Sequence, residues 1–216
     1  MNRAVHTMET HRGFTLLELI VTIAILGVVT SMGAVAFNNI TTAWSDLRAE
    51  AELDRSVDEA FNAFQKDISD TMSAELSGEP ILGIGRETSS ERYFDRQLAD
   101  DMVVLPIQHS AVDTRMRTGS KVAWRVQRDL ETSRLVRAIG ALDQPIPPGG
   151  ASDELDDAHV VRLGFEYEAH GEPGKWTREW TRNEHPAAIK MSIVVEDRGR
   201  PWVQIGREAV FPINVR

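Results

Sequence analysis

A nearly uninterrupted apolar run over residues 14–37 constrains this chain more than any other feature of its sequence. Its 24 residues contain a single charged side chain, Glu18. An α-helix rises about 1.5 Å per residue, and about 20 residues cross the hydrocarbon core of a bilayer. The run is therefore long enough for a membrane-spanning helix. Because an unpaired charge is costly at membrane depth, we expect the Glu18 carboxylate to have a specific partner.

Composition limits what the remaining chain can do. The 216 residues leave enough sequence outside the run for one globular domain with its own core. The absence of cysteine excludes disulfide bonds, thiolate metal sites and cysteine catalysis. A net charge of −9 argues against generic binding to nucleic acid phosphates, which requires net positive charge or a basic face. We therefore predict no nucleic acid partner.

The residues at the start of the apolar run form a motif. Residues 13–18 read Gly-Phe-Thr-Leu-Leu-Glu, and two basic residues, Arg3 and Arg12, precede them. This arrangement resembles the prepilin signature of type IV pilins and pseudopilins, a short basic leader that ends in Gly, followed by Phe, with Glu as the fifth residue after the Gly–Phe bond. The resemblance implies that a prepilin peptidase cleaves between Gly13 and Phe14, and that Phe14 is then N-methylated. It also implies that Glu18 pairs with the α-amine of Phe14 on a neighbouring subunit during filament assembly.

Two other interpretations of this segment stay open. Residues 34–36 read Ala-Val-Ala and fit the cleavage site of a secretory signal, which would release a soluble chain that begins at Phe37. That interpretation leaves Glu18 without a role, and the helical pattern continues through residue 36. Thr15 and Glu18 also have the spacing of a capping box, so Glu18 could satisfy a backbone N–H at the start of a helix. Capping is compatible with a role in assembly.

The apolar run is predicted to continue as an amphipathic helix. No proline occurs before Pro80, and Gly78 marks a helix end. Beyond the run, apolar residues recur at steps of three and four and predict one apolar face. The residues assigned to this face are Ile40, Trp44, Leu47, Ala51, Val57, Phe61, Phe64, Ile68, Met72 and Leu76. We predict one helix over residues 14–76, its second half packed on a globular head.

The sequence after Pro80 is predicted to form antiparallel strands. Segments 121–127, 161–167 and 189–195 alternate apolar and polar residues, which is typical of half-buried strands. Weaker strand signals lie at 102–107, 133–139, 175–180, 202–205 and 209–215, and residues 83–96 and 143–157 are predicted loops. The expected fold class is α+β. The expected segments are a leader at 1–13, a transmembrane or filament-core helix at 14–37, its amphipathic continuation at 38–78 and a β-rich head at 79–216.

The order of short motifs in the head resembles the minor pseudopilin J family of type II secretion systems. The matching segments are Trp-Arg-Val at 124–126, Leu-Val-Arg at 135–137, Leu-Asp-Gln at 142–144, Val-Arg-Leu-Gly-Phe-Glu-Tyr at 161–167, Gly-Lys-Trp at 174–176 followed by Trp180, and His-Pro-Ala-Ala-Ile at 185–189. Residues 80–120 match poorly, and minor pilins of type IV pili share much of the pattern. The resemblance implies a type IV pilin-like fold, in which a long helix packs on an antiparallel sheet.

The same resemblance implies a role in assembly and not in catalysis. A J-type subunit would lie in the bacterial inner membrane with its carboxy-terminal head in the periplasm. At the filament tip it would assemble with the I and K types and the major pseudopilin on an inner-membrane secretion platform, and so prime growth for protein export. The alternative is a minor pilin of a type IV pilus, which acts in adhesion, motility or DNA uptake.

The sequence offers little evidence of a chemical site. The six histidines show no metal-ligand spacing, and Ser110, beside His109, lies in no nucleophile-elbow motif. Four acids within 153–157 could ligate calcium, but their spacing does not match an EF-hand, and a solvated loop is the favoured interpretation. Trp176 and Trp180 could belong to a partner surface, although packing on a sheet is favoured. We predict no catalytic residue, no metal site and no cofactor.

Overall fold

The structure, a computed structural model, describes residues 15–85, 87–88, 98–99, 101–108, 119–128, 133–142 and 158–213. The helices within these residues are α1 (Leu16–Ser69) and α2 (Ala74–Ser77). The strands are β1 (Leu82–Ile84), β2 (Glu87–Thr88), β3 (Leu98–Ala99), β4 (Met102–Ile107), β5 (Ser120–Arg128), β6 (Ser133–Ala141), β7 (Ala158–Glu168), β8 (Trp176–Thr177), β9 (Ala188–Asp197) and β10 (Arg200–Pro212).

The chain divides into two compact units, one that ends at Leu47 and one that begins at Arg48. The described part of the first unit is the amino-terminal portion of α1. The second unit contains the rest of α1 and all the described strands. The predicted α+β fold, a long apolar amino-terminal helix followed by antiparallel sheets, is confirmed.

Two four-stranded antiparallel sheets build the second unit. The strand order is β1-β4-β5-β6 in the first sheet and β10-β9-β7-β8 in the second, while β2 pairs with β3. The two larger sheets meet where Gly83 and Trp180 exchange backbone hydrogen bonds of 2.8 and 3.0 Å. They also meet where the Ser133 hydroxyl donates to the Val160 carbonyl at 2.6 Å. Hydrogen bonds thus join both sheets into one body.

Phe64 of α1 shows how the helix closes the core of this unit. Its ring contacts Trp124 of β5, Phe165 of β7 and Phe211 of β10, with centroid distances of 5.6, 5.5 and 5.1 Å. These partners belong to both large sheets, so α1 covers the inner face of each. Phe64 is fully buried, and truncation of such a side chain to Ala typically costs about 3–5 kcal/mol.

The long helix ends earlier than the sequence predicts. α1 stops at Ser69 and not at residue 76. Backbone groups of the next residues bond to the end of β4: Met72 N–H donates to the Pro106 carbonyl, and Gln108 N–H donates to the Asp70 carbonyl, each at 2.8 Å. Because these backbone groups bond to residues at the end of β4, they cannot also form the hydrogen bonds that would continue the helix. The helix therefore ends where it meets the end of β4. The short α2 follows, and Gly78 then takes φ +70°.

The predicted apolar face of α1 is two faces and not one. Leu47 and Ala51 are exposed, whereas Ala49 and Leu53 are buried in the core. The apolar pattern therefore shifts by two positions between Leu47 and Ala49. From Leu53 onward, Val57, Ala60, Phe64 and Ile68 continue the buried face.

The three strongest strand predictions are confirmed as β5, β7 and β9. In β9 all four predicted inward residues are fully buried: Ile189, Met191, Ile193 and Val195. In β7 a register shift between Val160 and Arg162 brings Val160, and not Val161, into the core. Residues 202–205 and 209–212 of the two weak segments belong to the single strand β10. The predicted loop 83–96 was wrong in part, because β1 and β2 occupy several of its residues.

Candidate functional site

The candidate site lies at the amino-terminal end of α1. Gly13 and Phe14, the predicted cleavage and methylation residues, lie outside the described residues. Thr15 is the first described residue and caps the helix. Its hydroxyl accepts a hydrogen bond from Glu18 N–H at 3.3 Å, and its carbonyl accepts one from Leu19 N–H at 3.2 Å. Local capping chemistry thus fixes Glu18 in the first helical turn.

The Glu18 side chain is not used by this cap. A capping box needs a second bond, from the Thr15 N–H to the Glu18 carboxylate. Within the part of the chain that the structure describes, this carboxylate has no hydrogen-bond or ion-pair partner, and it is exposed. The first turn of a helix carries partial positive charge, which favours a carboxylate there by about 0.3–1 kcal/mol. That contribution is small beside the cost of dehydrating a charge, so the carboxylate would still need a partner in an apolar environment.

An exposed apolar surface surrounds this carboxylate. The large exposed apolar side chains of the first unit are Leu16, Leu17, Leu19, Ile20, Val21, Ile23, Ile25, Leu26, Val28, Val29, Met32, Val35, Phe37, Ile40, Trp44 and Leu47. The most apolar 18-residue window of α1 has a mean hydropathy of 2.3, and none of it is buried. By length and composition, α1 is therefore consistent with a membrane anchor. The helix also runs unbroken through residues 34–36.

Hydroxyl groups in the same stretch bond to the helix itself. Thr22 donates to the Glu18 carbonyl at 2.7 Å, and Ser31 donates to the Val28 carbonyl at 2.8 Å. Thr41 and Thr42 both donate to the Asn38 carbonyl, at 2.9 and 3.0 Å. Polar groups satisfied in this way can face lipid or an apolar partner at low cost.

The remaining sequence candidates are dispersed over the second unit. Trp180 is buried and packs near Tyr167, which confirms the packing interpretation, whereas Trp176 is partly exposed beneath the Lys190 ammonium. Among the described residues, no group of three or more His, Asp or Glu side chains could hold a metal ion. His109 and the acids of 153–157 lie outside the described residues.

Two of the described histidines have lowered pKa values. His185 is buried, and its Nε2 lies 2.9 Å from the Met72 carbonyl oxygen. Burial lowers the pKa of His185. Burial also lowers the pKa of His159, against the opposing effect of Glu196 and with a smaller contribution from Arg128.

Sequence reasoning missed the charged centre of the second unit. Asp67 is buried. Its carboxylate accepts hydrogen bonds from Arg137 Nε at 2.8 Å and Nη2 at 2.6 Å, and a third from Trp124 Nε1 at 2.8 Å. Asp101 is buried too and accepts Phe165 N–H at 2.9 Å. The sequence did contain a signal for Asp67, because this acid lies beside Ile68 and one turn from Phe64 on an apolar face. These buried carboxylates bind their own chain and hold the unit together.

Comparison with known proteins places the amino-terminal segment most clearly. The family described as the prokaryotic N-terminal methylation motif matches residues 8–34. This chain therefore carries a type IV prepilin-like methylation motif at the head of a long apolar helix. The motif implies processing by a prepilin peptidase and assembly with other pilin-like subunits.

A solved structure of a type IV-like pilin from Thermus thermophilus is similar at 9% identity, with a TM-score of 0.47, over 76% of this chain and 95% of that one. Similarity at this level carries no argument about function. No curated protein sequence matches the chain.

Proposed function

We propose that this chain is a minor pseudopilin of the J type in a type II secretion pseudopilus. The observation that carries the proposal is Glu18, an exposed carboxylate without a partner among the described residues, on an exposed apolar helix that bears the methylation motif. A structural subunit with this anchor acts by assembly. The acidic and cationic groups of the head core serve packing, and ATP hydrolysis belongs to a partner.

Charge pairing explains how the anchor would direct assembly. Cleavage between Gly13 and Phe14 frees an α-amine next to the apolar helix. In an apolar filament core the amine of one subunit and the Glu18 carboxylate of its neighbour are each costly alone, and pairing offsets part of both costs. A subunit that retains its leader has no such amine. Pairing therefore selects processed subunits and sets the direction of addition.

The head would then join the I and K types and the major pseudopilin at the filament tip. In this proposal the leader, residues 1–13, stays on the cytoplasmic side because Arg3 and Arg12 flank the anchor. The head lies in the periplasm, and the inner-membrane platform receives the waiting subunit. A minor pilin of a type IV pilus is the second candidate, since the methylation motif fits it equally well.

Amino-terminal mass spectrometry of the membrane-associated protein from its host tests the processing step. We expect a mature chain that begins with N-methylated Phe14. A chain that begins at Phe37 would show signal peptidase cleavage after Ala36 and would overturn the filament assignment. A chain that retains Met1 in cells with active prepilin peptidase would overturn it as well.

Replacement of Glu18 tests the assembly step. We expect Glu18→Ala to be processed and inserted normally but to lose cross-linking to the other minor pseudopilins, together with secretion. Glu50→Ala, which removes an exposed acid elsewhere on α1, is the matched control and should change neither. Equal cross-linking of Glu18→Ala and wild type would contradict the charge-pairing role. In a deletion strain, lost secretion identifies the pseudopilus, whereas lost twitching or transformation identifies the type IV pilus.

A further inference from the structure

The helix α1 continues past the residues needed to span a membrane, and this continuation carries an exposed apolar stripe. Ile40, Trp44 and Leu47 are separated by four and three residues and therefore share one helical face. We call these three residues the Trp44 stripe. All three are exposed, and Trp44 is 70% exposed. The polar residues Asn38 and Thr42 lie on the other side of the same turns.

The stripe continues the apolar surface of the candidate membrane span without interruption. The last large apolar residue before it, Phe37, is also exposed, and α1 has no break between the two. The hydroxyls of Thr41 and Thr42 bond to the Asn38 carbonyl, so the helix satisfies them itself. Tryptophan is enriched where the hydrocarbon core of a membrane meets the headgroups.

Helix length relates this stripe to the functional carboxylate. Glu18 and Trp44 are 26 residues apart, which is about 39 Å along an α-helix. A bilayer is about 30 Å thick across its hydrocarbon core and about 40–45 Å thick with its headgroups. If Trp44 lies among the headgroups of one leaflet, Glu18 therefore lies at the headgroup boundary of the other. The amides of Asn38 and Asn39 then lie within a turn or so of the headgroups, which their side chains can approach.

We propose that the Trp44 stripe docks on the lipid headgroup layer and sets the depth of the waiting helix, so that Glu18 rests at the opposite, hydrated boundary. This inference rests on the membrane-anchored function proposed above. In this position the Glu18 carboxylate needs no protein partner while the subunit waits in the membrane. Withdrawal of the helix into a filament would dehydrate the carboxylate, and only then does pairing with an α-amine become necessary. The Trp44 stripe would thus hold the Glu18 carboxylate at the hydrated boundary, where it needs no pairing, until the subunit enters the filament.

A depth profile of the helix tests this inference. The natural chain has no cysteine, so single cysteines along residues 19–36 can carry a nitroxide in the full-length protein. The protein is reconstituted in vesicles of phosphatidylethanolamine and phosphatidylglycerol, and collision with oxygen and with a water-soluble nickel complex reports depth. A helix anchored at both Glu18 and Trp44 has its midpoint at Ser31. A helix centred on the apolar run 14–37 has its midpoint between Ile25 and Leu26.

We expect the deepest label near Ser31 in the parent chain and a shift toward residues 25–26 in Trp44→Ala. Trp202→Ala is the matched control, because Trp202 is also 70% exposed, and it should leave the midpoint near Ser31. A parent midpoint at residues 25–26, or one near Ser31 that Trp44→Ala does not move, overturns the inference while the membrane anchor stands. A profile without any deep label overturns the anchor itself.

Labels on the stripe distinguish lipid from protein as the occupant. A nitroxide at residue 40 should be shielded from the nickel complex in vesicles that contain this chain alone, and a label at residue 47, which lies beyond Trp44 on the side away from the bilayer centre, should be shielded less. Shielding that appears only after another pilin-like subunit is added would make the stripe a protein interface. That result would overturn the assignment to lipid.

Discussion

At the scale of single residues, Asp67 is the side chain on which the packing of α1 depends most specifically. Its carboxylate accepts three hydrogen bonds, two from Arg137 on β6 and one from Trp124 on β5. A buried carboxylate is costly unless it is paired and fully bonded, and this one is both. Asp67 therefore ties the last turns of α1 to two strands of the first sheet.

Removal of this carboxylate should destabilise the head strongly. We expect Asp67→Ala to lower the free energy of unfolding by about 3–5 kcal/mol, because it leaves Arg137 and Trp124 without their buried partner. Denaturant unfolding of the detergent-solubilised full chain, followed by tryptophan fluorescence, measures this. Asp58→Ala breaks an exposed pair with Arg207 and should cost about 1 kcal/mol or less. Equal losses for the two variants would contradict the importance assigned to Asp67.

Gly83 marks a second residue whose identity is fixed by a contact. A Cβ at this position would overlap the ring of Tyr167, close to its hydroxyl. The ring is fully buried and cannot move away easily, and burial, with the nearby Asp101 charge, also raises the pKa of its hydroxyl. The close approach allows β1 to pair with Trp180 and so joins the two sheets.

Substitution of Gly83 should therefore be costly. We expect Gly83→Ala to lower the free energy of unfolding by about 1–3 kcal/mol through overpacking. Gly206→Ala is the control in another strand, because its Cβ would meet Val194 at an ordinary 3.5 Å. Thermal unfolding of both variants compares them. Equal thermal unfolding midpoints for Gly83→Ala and Gly206→Ala would show that the Tyr167 ring moves to accommodate the added Cβ, and would contradict the expected cost.

At the scale of elements, α1 shows how far periodicity predicts a helix. The spacing of apolar residues predicted a long helix correctly, because this property depends on neighbours within a few turns. The same spacing assigned Leu47 and Ala51 to the face that continues into Val57 and Phe64. The structure buries Ala49 and Leu53 instead. Small alanines carry little hydrophobic signal, so the shift in register was not visible in the pattern.

The shift in register predicts different effects for two leucines of α1. Leu53 is 5% exposed and Leu47 is 59% exposed. We expect Leu53→Ala to lower the free energy of unfolding of the head by about 2–5 kcal/mol. The matched Leu47→Ala should change it by about 0.5 kcal/mol or less. Denaturant titration of the solubilised chain measures both, and a comparable loss at Leu47 would restore the single apolar face.

At the scale of the whole molecule, the pH dependence of stability follows from two histidines with lowered pKa values, the buried His185 and the half-buried His159. The pKa values of His159 and His185 are lowered in the folded state, so the unfolded chain binds more protons when the pH falls below the ordinary value of 6.5. Stability then rises with pH in this window. The contribution of these two histidines to stability is fully present above pH 6.5 and is lost as the pH falls toward their lowered pKa values.

A thermal unfolding series from pH 7 to pH 5 checks this sign. We expect the midpoint to fall with pH and to fall less in His159→Gln/His185→Gln, whose amides can donate but do not titrate in this range. His170→Gln removes an exposed histidine and should leave the slope unchanged. A midpoint that rises on acidification would contradict the lowered pKa values of His159 and His185.

The candidate site and the head differ in how much of each was predictable. The methylation motif, the exposed apolar helix and the place of Glu18 follow from consecutive residues, and the strand pattern of β5, β7 and β9 follows from local alternation. The wrong part of the loop 83–96 and the split of β10 into two strands came from short or charged segments. There the local pattern is weak, and pairing with a neighbouring strand decides the conformation.

Local sequence patterns are enough to predict an apolar helix with one carboxylate and a head of antiparallel strands. These features depend on side-chain chemistry repeated at the periods of helix and strand. Three other features are visible only in the folded chain: α1 ends at Ser69, its buried face begins at Ala49, and Asp67 pairs with Arg137. Each of these depends on contacts between segments far apart in the chain. The burial and hydrogen bonds that fix them exist only after the sheets have closed on the helix.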